Sequence, residues 1–191
     1  RERLVITNGL RVIAIDPAAA EGGSLESAVE WRWPAEGNLR YYMPNLYGGP
    51  HPQVGLAISG DRAFATMFSQ QSRQGQVGRR QDRFEGPGAI RALDLATGKL
   101  LWDTDAIEVE VNGEKKKMVE ELPFGRLNFC FTGPVVPRGD RLYAAAMSVT
   151  PDRQCYVVCL DAATGLPRWC TWVGTAPATR ERTSVPAFAE D

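Results

Sequence analysis

The sequence predicts an all-β chain, specifically a partial β-propeller of four-stranded antiparallel blades with about three blades present and the start of another. Three observations predict it. A short pattern, Ala92-Leu93-Asp94-Leu95-Ala96-Thr97-Gly98-Lys99-Leu100-Leu101-Trp102, returns as Cys159-Leu160-Asp161-Ala162-Ala163-Thr164-Gly165-Leu166-Pro167-Arg168-Trp169. Each copy is preceded by two apolar runs joined by the same turn, Gly60-Asp61-Arg62 and Gly139-Asp140-Arg141. A degraded copy stands near the start, Val12-Ile13-Ala14-Ile15-Asp16-Pro17, after a hairpin signal at Asn8-Gly9. Self-similarity of this kind marks a repeat architecture, and radial repetition of four-stranded sheets is a propeller.

The elements follow in order. In the first unit, Leu4 to Thr7 and Arg11 to Ala14 flank the Asn-Gly turn, which favours a two-residue hairpin. The tight turn of the other copies is replaced there by a longer stretch, Ala18 to Val29, before Trp31 and Trp33. In the second unit, Val54 to Ser59 is strand one, and strand two follows Gly-Asp-Arg, a turn signal between apolar runs. Strand three ends at Asp94 and strand four carries Trp102. The third unit repeats this, with strand three ending at Asp161 and strand four carrying Trp169. Val185-Pro186-Ala187-Phe188-Ala189 resembles the opening of a further unit. The blade-like units are thus expected at about 1–33, 52–104 and 129–173, with the next beginning at 183–191. Two insertions separate them, 68–88 and 105–126. The first is polar and aperiodic. The second alternates around Asn112-Gly113, the signature of an extra hairpin.

The repeated motif has a physical account. Gly98 and Gly165 fall where a tight strand-to-strand loop needs positive φ. Asp94 and Asp161 can accept hydrogen bonds from backbone N–H groups of their own turns, and Thr97 and Thr164 can do the same more weakly. Each indole is a large apolar body with one N–H that wants a partner. On an outer strand, Trp102 and Trp169 could pack on the neighbouring blade and bind its turn. The structural motif set is Ala14, Asp16, Ala92, Asp94, Thr97, Gly98, Trp102, Asp161, Thr164, Gly165 and Trp169.

The pattern Ala/Cys-x-Asp-x-x-Thr-Gly-x-x-x-Trp resembles the tryptophan-docking repeat of pyrroloquinoline-quinone (PQQ) propellers. That superfamily includes quinoprotein alcohol dehydrogenases, an outer-membrane assembly lipoprotein and many bacterial PQQ-like repeat proteins. The resemblance covers most of the chain outside the insertions. It implies the fold strongly and an activity weakly, because the motif is structural in the enzymes too. The adjacent Cys-Cys pair that lies over the quinone in several of those enzymes is absent from this sequence. Propellers have about 4–8 blades, so the remaining blades are expected from a longer parent chain, and neither end reads as a polar cap.

Composition excludes several classes. The formal net charge is -1, with acids and bases interspersed, which argues against a nucleic-acid surface. Arg73, Arg79, Arg80 and Arg83 are diluted by Asp82 and Glu85, and Lys115 to Lys117 are flanked by five glutamates, so both read as solvated loops. No apolar run reaches the ~20 residues that span a bilayer. The four cysteines, Cys130, Cys155, Cys159 and Cys170, form no Cys-x-x-Cys, and the chain has one histidine. A zinc site is therefore not expected. Cys159 and Cys170 lie on paired strands and are read either as a cross-strand disulfide or, by preference, as small buried hydrophobes. His51, between Pro50 and Pro52, reads as a loop residue rather than a base or ligand, since no partner group is identifiable. Trp31-Arg32-Trp33-Pro34 and Tyr41-Tyr42-Met43 could present a stacking surface, although blade packing is the preferred use. Asp16, Asp94 and Asp161 belong to turns on separate blades and are not expected to share calcium.

Three functions are carried forward. The preferred one is a non-catalytic scaffold that presents loops to a protein partner in the cell envelope, with no catalytic residue, no metal and no cofactor. Its basis is a set of structural motifs beside long polar insertions, where function tends to reside. The second is part of a quinoprotein dehydrogenase, in which PQQ and calcium would do the oxidation. The third is a carbohydrate- or polymer-binding sensor that uses exposed aromatics. The resemblance favours an extracytoplasmic or periplasmic setting.

Overall fold

The computed structural model describes residues 2–7, 9, 11–35, 54–68, 88–111, 113–117, 129–148 and 154–175. The segment Tyr41-Tyr42-Met43, His51, the arginine-rich stretch of the first insertion and the expected start of a further unit lie outside them. Three antiparallel sheets run in chain order. Sheet 1 contains β1 (Leu4–Thr7), β2 (Val12–Ile15) and β3 (Val29–Trp33). Sheet 2 contains β4 (Gly55–Ser59), β5 (Arg62–Phe68), β6 (Gly88–Asp94) and β7 (Leu100–Asp103). A separate two-stranded sheet, β8 (Glu108–Val111) and β9 (Glu114–Lys117), follows it. Sheet 3 contains β10 (Phe129–Arg138), β11 (Arg141–Ser148), β12 (Gln154–Asp161) and β13 (Pro167–Thr175). Within each sheet every strand pairs with its sequence neighbour, which is the meander of a propeller blade.

Sheet 1 differs from the repeat in two ways. Among the described residues it has three strands where the repeat predicts four. The stretch after Asp16, expected as a long turn, folds into two short helices, α1 (Pro17–Glu21) and α2 (Leu25–Ala28). The cause is local. Asp16 caps α1 by accepting from the N–H of Ala18, and Pro17 supplies a helical φ at the first position. Ser24 caps α2 by accepting from the N–H of Ser27.

The sheets stack face to face, and the period-two alternation of the strands decides which residues meet. On β5, Ala63, Ala65 and Met67 face sheet 1, where they pack with Val5, Val12, Ala14 and Trp31. Phe64 points the other way, into a cluster with Ala92, Trp102, Leu142, Ala144, Val158 and Leu160. Sheet 2 is therefore buried on both faces, and its strand β6 is buried from Gly88 to Leu93. That is why it reads as a nearly unbroken apolar run rather than as strict alternation.

One side chain in that run is charged. Arg91 is fully buried, with Nε 2.9 Å from Oδ2 of Asp103 and a terminal nitrogen 3.2 Å from Oδ2 of Asp105. Its guanidinium lies 5.3 Å from the ring centre of Trp33 in sheet 1. Two carboxylates and a π face thus compensate one desolvated cation at the contact between sheets 1 and 2.

Sheet 3 buries one face against sheet 2, and among the described residues no sheet covers the other. Its β12–β13 register places Cys159 opposite Trp169 and Cys170 opposite Val158. The two cysteines therefore sit on opposite faces, which corrects the cross-strand disulfide considered from sequence. Cys159 and Cys170 are free thiols. Burial alone pushes the Cys170 thiol up to about 12, so it stays protonated at neutral pH.

If the stack is held as described, the two sides of β4 and β5 differ sharply in cost. Phe64→Ala should destabilise by about 3–5 kcal/mol, measured by denaturant unfolding. Ile58→Ala, at a site 48% exposed, should move the midpoint little.

Candidate functional site

Most of the residues singled out by the repeat, all but Asp16 and Trp169, converge at the two sheet-to-sheet contacts. In sheet 2 the motif turn is tied internally first. Oδ1 of Asp94 accepts from the N–H of Thr97 at 2.8 Å and from its hydroxyl at 2.6 Å. The N–H of Gly98 donates to the carbonyl of Asp94 at 2.8 Å. Sheet 3 repeats this, with Asp161 Oδ1 accepting from Ala163 N–H, from Thr164 N–H and from the Thr164 hydroxyl at 2.9, 3.0 and 3.0 Å. Both turns therefore have the same shape because the same short polar side chain organises them.

The turns are also tied to the Gly-Asp-Arg turn of their own sheet. The N–H of Leu95 donates to the carbonyl of Asp61 at 2.8 Å, and that of Ala162 to the carbonyl of Asp140 at 2.9 Å. These bonds fix the residue whose carbonyl faces the preceding sheet.

That carbonyl is the acceptor of a clamp. Trp31 of sheet 1 donates its indole N–H to the carbonyl of Leu95 at 3.1 Å, and Arg3 donates to the same oxygen at 2.7 Å. One sheet further on, Trp102 donates to the carbonyl of Ala162 at 3.2 Å, and Arg62 to the same oxygen at 2.8 Å. The glycine of each turn lies beneath the indole. A Cβ on Gly98 would come within 2.5 Å of the Trp31 ring, and one on Gly165 within 2.6 Å of the Trp102 ring. Both glycines also have left-handed φ, 70° and 74°, so glycine is required twice over.

Strand register explains why the parts meet. Trp31 pairs with Ala14, Trp102 with Ala92 and Trp169 with Cys159, so a small side chain stands beside every indole. Arg62 pairs with Asp94 and Arg141 with Asp161. Of the predicted motif residues, Ala14, Ala92, Asp94, Thr97, Gly98, Trp102, Asp161, Thr164 and Gly165 all belong to this apparatus. Asp16 instead caps α1. Trp169 is 43% exposed, with its ring edge-on to Tyr143 at 5.9 Å between centroids. Among the described residues no following sheet covers it.

Sequence reasoning assigned Gly-Asp-Arg to a turn and missed the reach of its arginine. The signal was present, because in all three units an arginine stands at the start of the strand two before the one that carries the tryptophan, as Arg3 before β1, Arg62 on β5 and Arg141 on β11. The aromatic pair offered as a stacking surface is used internally: Trp31 is buried on Gly98, and Trp33 lies against Arg91. Among the described residues, no three His, Cys, Asp or Glu side chains gather as a metal site. None of the helices among the described residues is long and apolar enough to cross a membrane.

With the geometry in hand, comparison with solved structures shows what the arrangement resembles. The quinohemoprotein alcohol dehydrogenase from Comamonas testosteroni matches with a TM-score of 0.51 at 15% identity, over 89% of this chain and 19% of that one. A europium-containing methanol dehydrogenase matches with a TM-score of 0.49 at 18% identity, over 89% and 22%. BamB from Moraxella catarrhalis matches with a TM-score of 0.32 at 15% identity, over 88% and 45%. No protein-family description matches the chain, and no curated protein does. The chain spans about a fifth of the length of the two dehydrogenases and under half that of BamB. The fold is a partial β-propeller.

The acid limb of stability should report the third turn. Arg168 bridges Oδ2 of Asp161 at 2.6 Å and Oδ2 of Asp140 at 2.7 Å. This partner, with the hydrogen bonds from Thr164 and Ala163, lowers the Asp161 carboxyl from 3.8 to about 2. Folding therefore favours its ionised form. The support is complete above the ordinary value and is withdrawn as pH falls through the window down to about 2. Asp161→Asn should flatten the fall of the unfolding midpoint across that window. An unchanged slope would contradict the assignment.

Proposed function

We propose that this chain is the repeat segment of a non-catalytic PQQ-like β-propeller that acts as a protein-interaction scaffold in the cell envelope. One observation carries the reading. The polar groups of the repeated motif at the two closed contacts are engaged in building turns and clamping sheets, so the motif is assigned to architecture rather than to chemistry. What distinguishes this chain from a bare stack is then its insertions. The hairpin β8–β9 forms its own sheet, separate from the three blade sheets. Its register sets Glu108 opposite Lys117. Opposite charges at facing positions stabilise a ribbon, and the exposed Glu108, Lys115 and Lys117 offer a polar recognition surface. The envelope setting comes from the resemblance of the repeat to quinoprotein-type propellers.

A second reading is favoured by the match to an alcohol dehydrogenase, namely that the parent protein is a PQQ- and calcium-dependent quinoprotein. The described residues do not assemble a calcium-binding set, so this reading rests on the likeness of fold.

A photo-activated cross-linker placed at Glu108 in the full-length protein should yield one discrete adduct with a partner protein. The charge reversals Lys115→Glu and Lys117→Glu should remove it. A bound quinone chromophore with dye-linked alcohol oxidation, after addition of PQQ and calcium, would overturn the scaffold reading in favour of the second.

A further inference from the structure

We propose that Asp105 and Ile107 are positioning residues that hold the β8–β9 hairpin in one orientation to sheets 2 and 3, and so present it preorganised to a partner protein. The inference deepens the scaffold reading and rests on it for the partner; the anchoring itself stands on the geometry of this chain.

A hairpin of this kind needs an anchor. Two strands alone are marginally stable in water, and among the described residues no third strand joins β8 and β9. Support must therefore enter through the residues that lead into β8. In sheet 3 there is no such lead-in, because strand four runs on past Trp169 to Thr175. In sheet 2 strand four stops at Asp103, one residue after the clamp tryptophan, and the chain leaves the sheet.

The exit is pinned at each step. The N–H of Thr104 donates to the carbonyl of Ile90 at 3.0 Å, and its hydroxyl accepts from the N–H of Ile90 at 2.9 Å. The hydroxyl thus takes the place of the main-chain acceptor that a continued antiparallel ladder would supply. Asp103 then turns the backbone. Its carboxylate accepts from the N–H of Asp105 at 2.9 Å, and its carbonyl accepts from the N–H of Ala106 at 3.0 Å. Arg91 holds both acids, Asp103 at 2.9 Å and Asp105 at 3.2 Å. Ile107 lands on the other sheet. A Cβ on Gly165 would come within 2.7 Å of its Cδ1, beside the ring of Trp102. The stretch from Asp103 to Ile107 is therefore tied to sheet 2 at one end and to the motif turn of sheet 3 at the other.

Strand register shows that the acids go with the exit rather than with the repeat. Arg91 faces Asp103 in sheet 2, whereas the equivalent pair is Val158 with Cys170 in sheet 3 and Ile13 with Arg32 in sheet 1. Of the three sheets, the one that launches a hairpin is the one with an acid at that position and a second acid two residues on. A recognition element ordered in advance does not pay its ordering cost at the moment of binding. That is what the two anchors supply to β8–β9.

In the full-length protein, spin labels carried on unnatural residues at Lys99, in the turn of sheet 2, and at Lys115, on β9, should give one narrow distance distribution. Ile107→Ala and Asp105→Asn should each broaden it. A second pair of labels, at Lys99 and at Arg138 in sheet 3, should stay narrow in both variants, which separates release of the hairpin from loss of stacking. A broad Lys99–Lys115 distribution in the unsubstituted protein, or a narrow one in either variant, would overturn the proposal. Broadening of both label pairs together would do the same, because the two residues would then be holding the sheets. With the cross-linker at Glu108, Ile107→Ala should lower the yield of the partner adduct, and an unchanged yield would refute preorganisation. Absence of any adduct from the unsubstituted protein would sink the scaffold reading and leave the distances as stated.

Discussion

One oxygen atom per interface organises this molecule. The carbonyl of Leu95, or of Ala162, is held from behind by a bond from the N–H of the same residue to the Gly-Asp-Arg turn, and from in front by an indole and a guanidinium of the preceding sheet. A buried polar group left unpaired costs about 1–3 kcal/mol. Apolar stacking alone would let two flat sheets slide or rotate, because burial is not directional. A carbonyl that must be met by two fixed donors removes that freedom. The clamp sets the registration, and the clusters around Phe64 and around Ala63 supply the bulk of the attraction.

The same constraint accounts for otherwise unrelated sequence choices. Glycine is required beneath each indole, small residues stand at Ala14, Ala92 and Cys159, and an aspartate shapes each closed-clamp turn. The buried Arg91 fits the same logic at the contact between sheets 1 and 2, where a cation enclosed by Asp103, Asp105 and the face of Trp33 fixes one relative placement of the two sheets.

Much of this was legible in the sequence, for a physical reason. The turn Asp-x-x-Thr-Gly is organised by contacts within four residues, so its chemistry is local and its repetition visible. The strands before it announce themselves as apolar runs, and Asn112-Gly113 announces β8–β9. The remainder was not local. The role of Arg62 depends on a residue 100 positions away, and only the stacking of sheets brings the two together. Helices α1 and α2 were hidden because a capping aspartate looks like a motif aspartate until the proline after it is given weight. The Cys159–Cys170 bridge depended on the exact strand register, which sets Cys159 opposite Trp169 and Cys170 opposite Val158, on opposite faces of the sheet.

The most direct measurement is a double-mutant cycle on the clamp between sheets 2 and 3. Arg62→Met and Trp102→Phe each delete one donor to the carbonyl of Ala162 while keeping most of the side-chain bulk at the contact. If both donors act on one shared oxygen, their effects on unfolding free energy must be coupled by at least about 0.5 kcal/mol, whereas Arg62→Met with Trp31→Phe, which act at different carbonyls, must add. Additivity of Arg62 with Trp102, to the same degree as with Trp31, would show that no common carbonyl joins them, and the account of how the sheets are held would be wrong.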